Sequence, residues 1–362
     1  MPVGPRSFEP GGMRGLVVLQ SFPTPKPTTN PYLVMLAESL RAVPGVTVKT
    51  FAWRTALFGR YDVFHVHWPE ILVTGHSPAK TLAKQLLTIA FLARLRLTGT
   101  PLVRTVHNVG APEGLSGVQR MLLRLIERRT TLRIRLNPTT EIPSGSFVTI
   151  PHGHYRDWFA RYPAREPVPG QLGYFGLIRR YKGVEGLLRA FAGIDSAALP
   201  SGAPSTGALS PGTLSLRIGG HPSSAELAEA VRVLAAADPR VSLRLAFLSD
   251  GEVLELVTSS ELVVLPYRFM HNSGGALAAL SLDRPVLVPD NTVNRLLSEE
   301  VGAGWVHLFT GELTSETLAG TLSAVRAGRP DGRPDLGARD WARAGVDHVA
   351  AYRRAIAEAK GR

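Results

Sequence analysis

The chain has 362 residues, 44% apolar and 19% charged, with 41 Lys and Arg against 29 Asp and Glu and no cysteine. At roughly 150 residues per domain, this predicts two domains able to bury cores. The absence of cysteine excludes disulfides, thiolate zinc sites, iron–sulfur clusters and a cysteine nucleophile. The net charge of +12 is lopsided, because residues 1–150 hold 18 basic and 7 acidic side chains while residues 151–362 hold 23 and 22.

Residues 1–13 carry Gly and Pro around Arg6 and no apolar core of a secretory signal, so they read as a leader ahead of the first strand. Short apolar runs then alternate with helical patterns to the end of the chain, the mark of βα units and parallel sheets. Strands are predicted at 15–20, 46–51, 63–67, 102–106, 132–136 and 147–150. Asn30 followed by Pro31 marks a helix start after the first of them. Two basic amphipathic stretches, 77–97 and 118–129, set Lys80, Lys84, Arg94, Arg96, Arg120, Arg124, Arg128 and Arg129 beside apolar residues. Such faces suit an anionic membrane surface, an acidic lipid-linked substrate or nucleic acid, and equally a plain solvated helix. The longest charge-free apolar run, 86–93, is far short of the about 20 residues of a membrane-spanning helix.

Prolines recur and periodicity lapses at 151–170, so domains are placed at 14–155 and 165–340. Strands in the second are predicted at 173–176, 214–218, 241–247, 262–265, 285–288 and 305–309. Residues 195–213, almost wholly Ala, Ser, Gly, Pro and Thr, read as a surface insertion. After a breaker-rich stretch at 327–339, a helix within 341–362 is expected to pack back on the first domain.

In open parallel sheets ligands bind beyond the carboxyl ends of strands, so polar residues there are candidates. The first domain offers Asn30 at the end of a long loop, His65, His67 and Glu70 after the third strand, and His107 after the fourth. His152 and His154 lie at the joint. A zinc site from His65, His67 and His107 is weighed and set aside, since no suitably spaced carboxylate or thiolate accompanies them. In the second domain Arg179, Arg180 and Lys182 open a helix after a strand, where dipole, free amides and cations all favour phosphate. Later, Tyr267, His271, Asn272, Ser273 and Gly274 join another strand to a small-residue helix whose backbone can approach a diphosphate.

This order of features resembles the two-domain GT-B glycosyltransferases of the family-4-like group over about residues 14–360. The stretch 176–183 is similar to that family's Gly-Arg-Leu-x-x-x-Lys-Gly loop, and 262–288 to its donor-site stretch. The segments 65–70, 105–108 and 268–274 resemble a narrower set, the bacterial GDP-mannose:glycolipid 4-beta-mannosyltransferases. The resemblance implies an α/β fold of two doubly wound Rossmann-like domains facing a central cleft. It implies transfer of a sugar, mannose from GDP-mannose as first choice, from a nucleotide diphosphate donor to a glycolipid or saccharide acceptor. It also implies Arg179, Lys182, Tyr267, His271, Asn272, Ser273 and Gly274 at the donor and Asn30, His67 and His152 at the acceptor. No cofactor and no metal are expected. Two departures stand out. Leu177 occupies the position of the family's arginine, and Met270 and Ala278 occupy those of the two glutamates of retaining members. An inverting transfer then needs a base on the acceptor side, for which Glu70 and His107 are candidates and Glu70 is preferred.

The expected setting is the cytoplasm, with peripheral contact to an anionic membrane. The competing readings are a sugar-nucleotide enzyme without an acceptor, such as an epimerase, a basic nucleic-acid-binding protein, and a catalytically dead homologue. Nucleic acid is disfavoured because no helix-turn-helix, zinc finger or RNP-type aromatic pair is present.

Overall fold

A computed structural model describes residues 15–107, 114–142, 144–195, 214–328, 330 and 332–361. The expected leader and nearly all of the expected insertion therefore lie outside the described residues. The chain divides into two compact units, Met1–Pro151 with Trp341–Arg362, and His152–Asp340.

The first unit alternates strand and helix: β1 (Leu16–Gln20), α1 (Pro31–Ala42), β2 (Val46–Lys49), α2 (Trp53–Phe58), β3 (Val63–Val66), α3 (Glu70–Val73), α4 (Pro78–Leu97), β4 (Leu102–Val106), α5 (Gly117–Arg129), β5 (Thr130–Arg135) and β6 (Ser146–Thr149). The strands form one parallel sheet in the order β2-β1-β3-β4-β5-β6. Asn30 caps α1 by accepting from the Tyr32 amide, and Pro31 supplies the preset first turn. Ser77 does the same for α4, ahead of Pro78, and Ser116 with Gln119 forms a reciprocal capping box on α5. These helices bury Phe91, Leu92, Leu95, Leu122 and Ile126 with Phe64, Val66 and Leu102 of the sheet. Phe91 meets Phe64 edge to face at 4.8 Å.

The second unit repeats the scheme: α6 (Arg156–Phe159), β7 (Gln171–Phe175), α7 (Val184–Ala192), β8 (Ser215–Gly219), α8 (Ala225–Ala236), β9 (Val241–Arg244), α9 (Asp250–Ser259), β10 (Leu262–Val264), α10 (Gly274–Ser281), β11 (Val286–Pro289), α11 (Thr292–Val301), β12 (Val306–Phe309) and α12 (Ser315–Ala327). Its parallel sheet runs β12-β11-β10-β7-β8-β9. Its central strands β7 and β10 are buried along their whole length, and β10 is an apolar run, Leu262–Val264, whereas the edge strand β9 alternates half-buried and exposed residues. Each of the twelve predicted strands has its counterpart, though β5 and β7 start two residues earlier than expected and β9 stops at Arg244.

The final helix, α13 (Trp341–Lys360), belongs to the first unit. It lies along α1 and reaches β3, β4 and β5. The Trp341 ring sits 5.4 Å from that of Tyr32. Close approach depends on Gly345, where a Cβ would fall 2.7 Å from the Ser39 carbonyl oxygen of α1. Gly345→Ala is expected to lower stability by about 1–3 kcal/mol by prising α13 off α1. Gly320→Ala, in α12 where an added Cβ meets nothing within 4 Å, is expected to be neutral or to stabilise by up to about 1 kcal/mol. Urea unfolding of both variants checks this, and an undisturbed midpoint for Gly345→Ala would contradict the packing.

Candidate functional site

Each sheet has one point where neighbouring strands send their following segments to opposite faces, and a crevice opens there beyond the strand ends. In the second unit it lies between β7 and β10, the strands that precede the two candidate donor loops. After β7 the chain makes a 3-10 turn at Arg180–Lys182 and enters α7 through Gly183 at φ 70°. A side chain at Gly183 would place Cβ 2.1 Å from the Pro266 carbonyl oxygen, so only glycine lets the two loops touch. The Arg268 amide also donates to the Tyr181 carbonyl at 2.8 Å.

This contact brings Lys182 onto Tyr267. The ammonium lies 4.6 Å from the ring centroid and donates to the hydroxyl at 3.2 Å. Burial, aided by the Arg179 charge, pulls the Lys182 ammonium down from its usual 10.5 to about 8, and burial raises the Tyr267 phenol. Arg179 is exposed beside it. Arg180, grouped with these cations in the sequence, is engaged elsewhere, 2.6 Å from Glu226 and 3.6 Å from Glu185. Ser273 caps α10 through the Ala276 amide, with Gly274 and Gly275 as its first two residues. His271 and Asn272 precede it, half-buried, and burial lowers the His271 pKa. Met270 and Ala278, read from the sequence as standing at the family's glutamate positions, are buried, and the Met270 sulfur accepts from Asn294.

In the first unit the corresponding point lies between β1 and β3. The residues gathered there form a buried polar chain. His67 Nδ1 pairs with His107 Nε2 at 3.2 Å and His67 Nε2 with Gln20 Oε1 at 3.0 Å. Gln20 Nε2 donates to the Tyr352 hydroxyl at 3.3 Å, which pairs with His65 Nδ1 at 2.7 Å, while His65 Nε2 meets Thr105 Oγ1 at 2.8 Å. Gln20, His65, Thr105 and Tyr352 are fully buried and His67 is 2% exposed. Burial, with neighbouring histidines, holds His65 and His67 well below the usual imidazole range, so both are neutral. His107 is only half-buried and stacks on Trp68 at 4.2 Å. Glu70 opens α3, half-buried, and makes no hydrogen bond or ion pair among the described residues.

Two sequence expectations need correction. His152, assigned to the acceptor domain ending at 155, belongs with the second unit. Its Nδ1 donates to the Gly153 carbonyl and its Nε2 faces the Tyr155 hydroxyl at 3.4 Å, while the Tyr155 amide donates to Ser281 of α10. Burial drops the His152 pKa to about 4. His65 and His67 spend both ring nitrogens on protein partners. No group of three or more His, Asp or Glu among the described residues is placed to hold a metal. Lys84 and Arg94, counted with the basic face of α4, turn inward: Lys84 donates to the Ile71 and Thr74 carbonyls, Arg94 to the Tyr61 hydroxyl and the Gly59 carbonyl.

Sequence reasoning missed Gln20 and Tyr352, and it gave no role to Thr105 and Tyr155, which lie inside the segments it singled out. Gln20 carried a signal, a lone amide at the end of the apolar strand Leu16–Gln20. Tyr352 carried none, since nothing local separates it from any other apolar position of α13. Asn30 is occupied as the cap of α1.

No protein-family profile matches the chain. A GDP-mannose:glycolipid 4-beta-D-mannosyltransferase of Xanthomonas campestris pv. campestris is 43% identical over 341 residues, 94% of this chain and 93% of that protein. Among solved structures, Anabaena HepE in complex with UDP-glucose aligns over 96% of this chain and 99% of its own, with a TM-score of 0.58 at 15% identity. The catalytic domain of starch synthase IV from Arabidopsis thaliana, bound to ADP and acarbose, aligns over 96% and 100% with a TM-score of 0.61 at 9% identity. The two parallel six-stranded sheets are thus those of the GT-B fold, and with 43% identity along nearly its whole length the chain belongs to the GDP-mannose:glycolipid 4-beta-D-mannosyltransferase family of glycosyltransferases.

Proposed function

We propose that this protein transfers mannose from GDP-mannose to a glycolipid acceptor with inversion, working at an anionic membrane face. The observation that carries the reading is the full-length identity to a relative named for that reaction. The joined loops at the β7–β10 point support a diphosphate site. Lys182, Arg179 and the amides at the start of α10 supply fixed positive charge for the departing GDP, the charge stabilisation that a metal gives in other transferases. The reading therefore needs no metal. Met270 and Ala278 provide no carboxylate at the donor sugar, which favours single displacement over a double one. In that displacement a base takes the proton of the acceptor hydroxyl, its oxygen bonds the anomeric carbon, and the bond to GDP breaks with its electron pair leaving on the diphosphate. His107 is the base, since it is half-buried and held among His67, Trp68 and Tyr32.

A membrane surface fits the exposed face of α4 and α5, two helices that touch. Leu82, Leu86 and Ile89 of α4 and Val118, Met121 and Leu125 of α5 are between 44% and 59% exposed. Arg120, Arg124 and Arg128 follow one another at helical spacing on the exposed side of α5, with Lys80 and Arg96 exposed on α4. No helix among the described residues is long and apolar enough to cross a membrane, and a basic, partly apolar helix face of this kind binds an anionic surface by lying in its interface. Vesicles containing phosphatidylglycerol should retain the protein in co-sedimentation and phosphatidylcholine vesicles should not. Combining Leu86→Ser and Met121→Ser with Arg124→Glu and Arg128→Glu should release it, and unchanged retention would remove the membrane from the proposal.

Donor binding should follow the charge on Lys182. Below pH 8 the lysine is protonated and holds the diphosphate; as pH rises through about 8 the free protein loses that proton. Binding GDP at pH 9 must then recover it, so calorimetry should show affinity about tenfold weaker at pH 9 than at pH 7, with proton uptake. Lys182→Arg should flatten the dependence and Lys182→Ala should abolish binding. Equal affinity at both pH values in the wild type would move the diphosphate away from Lys182.

His107→Gln should lower kcat for mannosyl transfer by about 10²- to 10⁴-fold with GDP affinity unchanged. Glu70→Gln should cost much less. The opposite ranking would return the base to Glu70.

A further inference from the structure

The buried chain in the first unit has a direction, and one side chain sets it. A neutral imidazole has one donor and one acceptor nitrogen, and a tyrosine hydroxyl can play either part, so histidines and tyrosines pass on whichever polarity they receive. Gln20 cannot, because its carbonyl oxygen only accepts and its amide nitrogen only donates. With Oε1 3.0 Å from His67 Nε2, the proton of His67 is on Nε2 and its Nδ1 is an acceptor. His107 must then donate from Nε2 across the 3.2 Å contact. On the other side Gln20 Nε2 donates to the Tyr352 hydroxyl, whose own proton goes to His65 Nδ1, and His65 donates from Nε2 to Thr105. All five contacts then run in one continuous sense, as buried hydrogen-bonded groups of this kind require.

We infer that Gln20 and Tyr352 are positioning residues that fix His107 as the Nε2–H tautomer, with the ring's lone pair on Nδ1. Resting on the assignment of His107 as base, this explains how the ring is made competent. A proton arriving at Nδ1 leaves Nε2–H bonded to His67, so no member of the chain has to turn. Were the Gln20 amide reversed, His107 would accept from His67 at Nε2 and would already carry its proton on Nδ1, with no lone pair to offer an acceptor hydroxyl. A serine-protease-type base is oriented by a carboxylate. Here no carboxylate is bonded to Gln20, His65, His67 or Tyr352 among the described residues, and a neutral amide does the same task. Tyr352 reaches Gln20 across 332 positions of sequence, so the last helix of the chain completes the base of the first unit.

Long-range proton–nitrogen spectra of the full chain labelled with ¹⁵N-histidine, assigned by loss of signals in His107→Gln, read the tautomer directly. His107 should show a protonated Nε2 and an unprotonated Nδ1 in the wild type. Gln20→Met, which deletes both amide atoms at similar volume, and Tyr352→Phe, which deletes the hydroxyl that holds the amide, should each give a mixture of tautomers. Both should lower kcat about tenfold or more with the KM for GDP-mannose within about twofold. Gln20→Glu keeps an acceptor toward His67 and should restore the wild-type tautomer. A protonated Nδ1 in the wild type overturns the proposal, as does an unchanged tautomer in either deletion variant whose circular dichroism is native. If tautomers mix as expected but transfer is undiminished, the positioning stands and His107 is not the base.

Discussion

A parallel sheet delivers all its strands' carboxyl ends to one edge, and at one place the connections on either side part company. That constraint, met twice in this chain, decides where chemistry can sit. Loops of such a crevice are anchored at one end by a strand with a fully bonded backbone, so side chains just past it are held in place by the sheet. In the second unit the two loops are also tied to each other, through Gly183 against Pro266 and through the bond from Arg268 to Tyr181. The result is a lysine lodged on a tyrosine ring, partly desolvated and so more strongly coupled to any anion that enters.

In the first unit the same constraint brings together groups that a protein interior ordinarily rejects. Two histidines, a glutamine, a threonine and a tyrosine, from β1, the end of β3, β4 and α13, are removed from water together. Leaving any of them without a partner would cost about 1–3 kcal/mol. The Tyr352 hydroxyl bridges two groups that would otherwise face apolar helix, so the return of α13 serves stability and site at once. Gly345 permits that return by letting α13 settle on the backbone of α1.

The positive charge of the first unit divides into structural and available parts. Arg104 and Arg133 share Glu127, whose carboxyl they hold below the usual range against the cost of burial. Lys84 and Arg94 tie α4 to neighbouring loops through backbone carbonyls. What remains exposed on α4 and α5 sits beside leucines that no part of the described unit covers, and charge and apolar surface together suit an interface between water and lipid.

The sequence by itself determined the architecture. Alternating apolar runs and helical patterns placed all twelve strands, Asn30-Pro31 marked a helix start, and the basic Lys182-Gly183 and small-residue Ser273-Gly274-Gly275 turns stood out at strand ends. These are local properties, set by backbone preference and by the period at which a strand or helix buries its side chains. Tertiary structure alone decided which partner each polar group took. Arg180 went to Glu226 and Glu185 rather than to the candidate phosphate site, and His152 went to Tyr155 within the second unit. Tyr352 went to Gln20 and His65. Such pairings join residues dozens to hundreds of positions apart, and a hydrogen bond depends on tenths of an ångström between atoms that only the packed sheet and helices bring within reach.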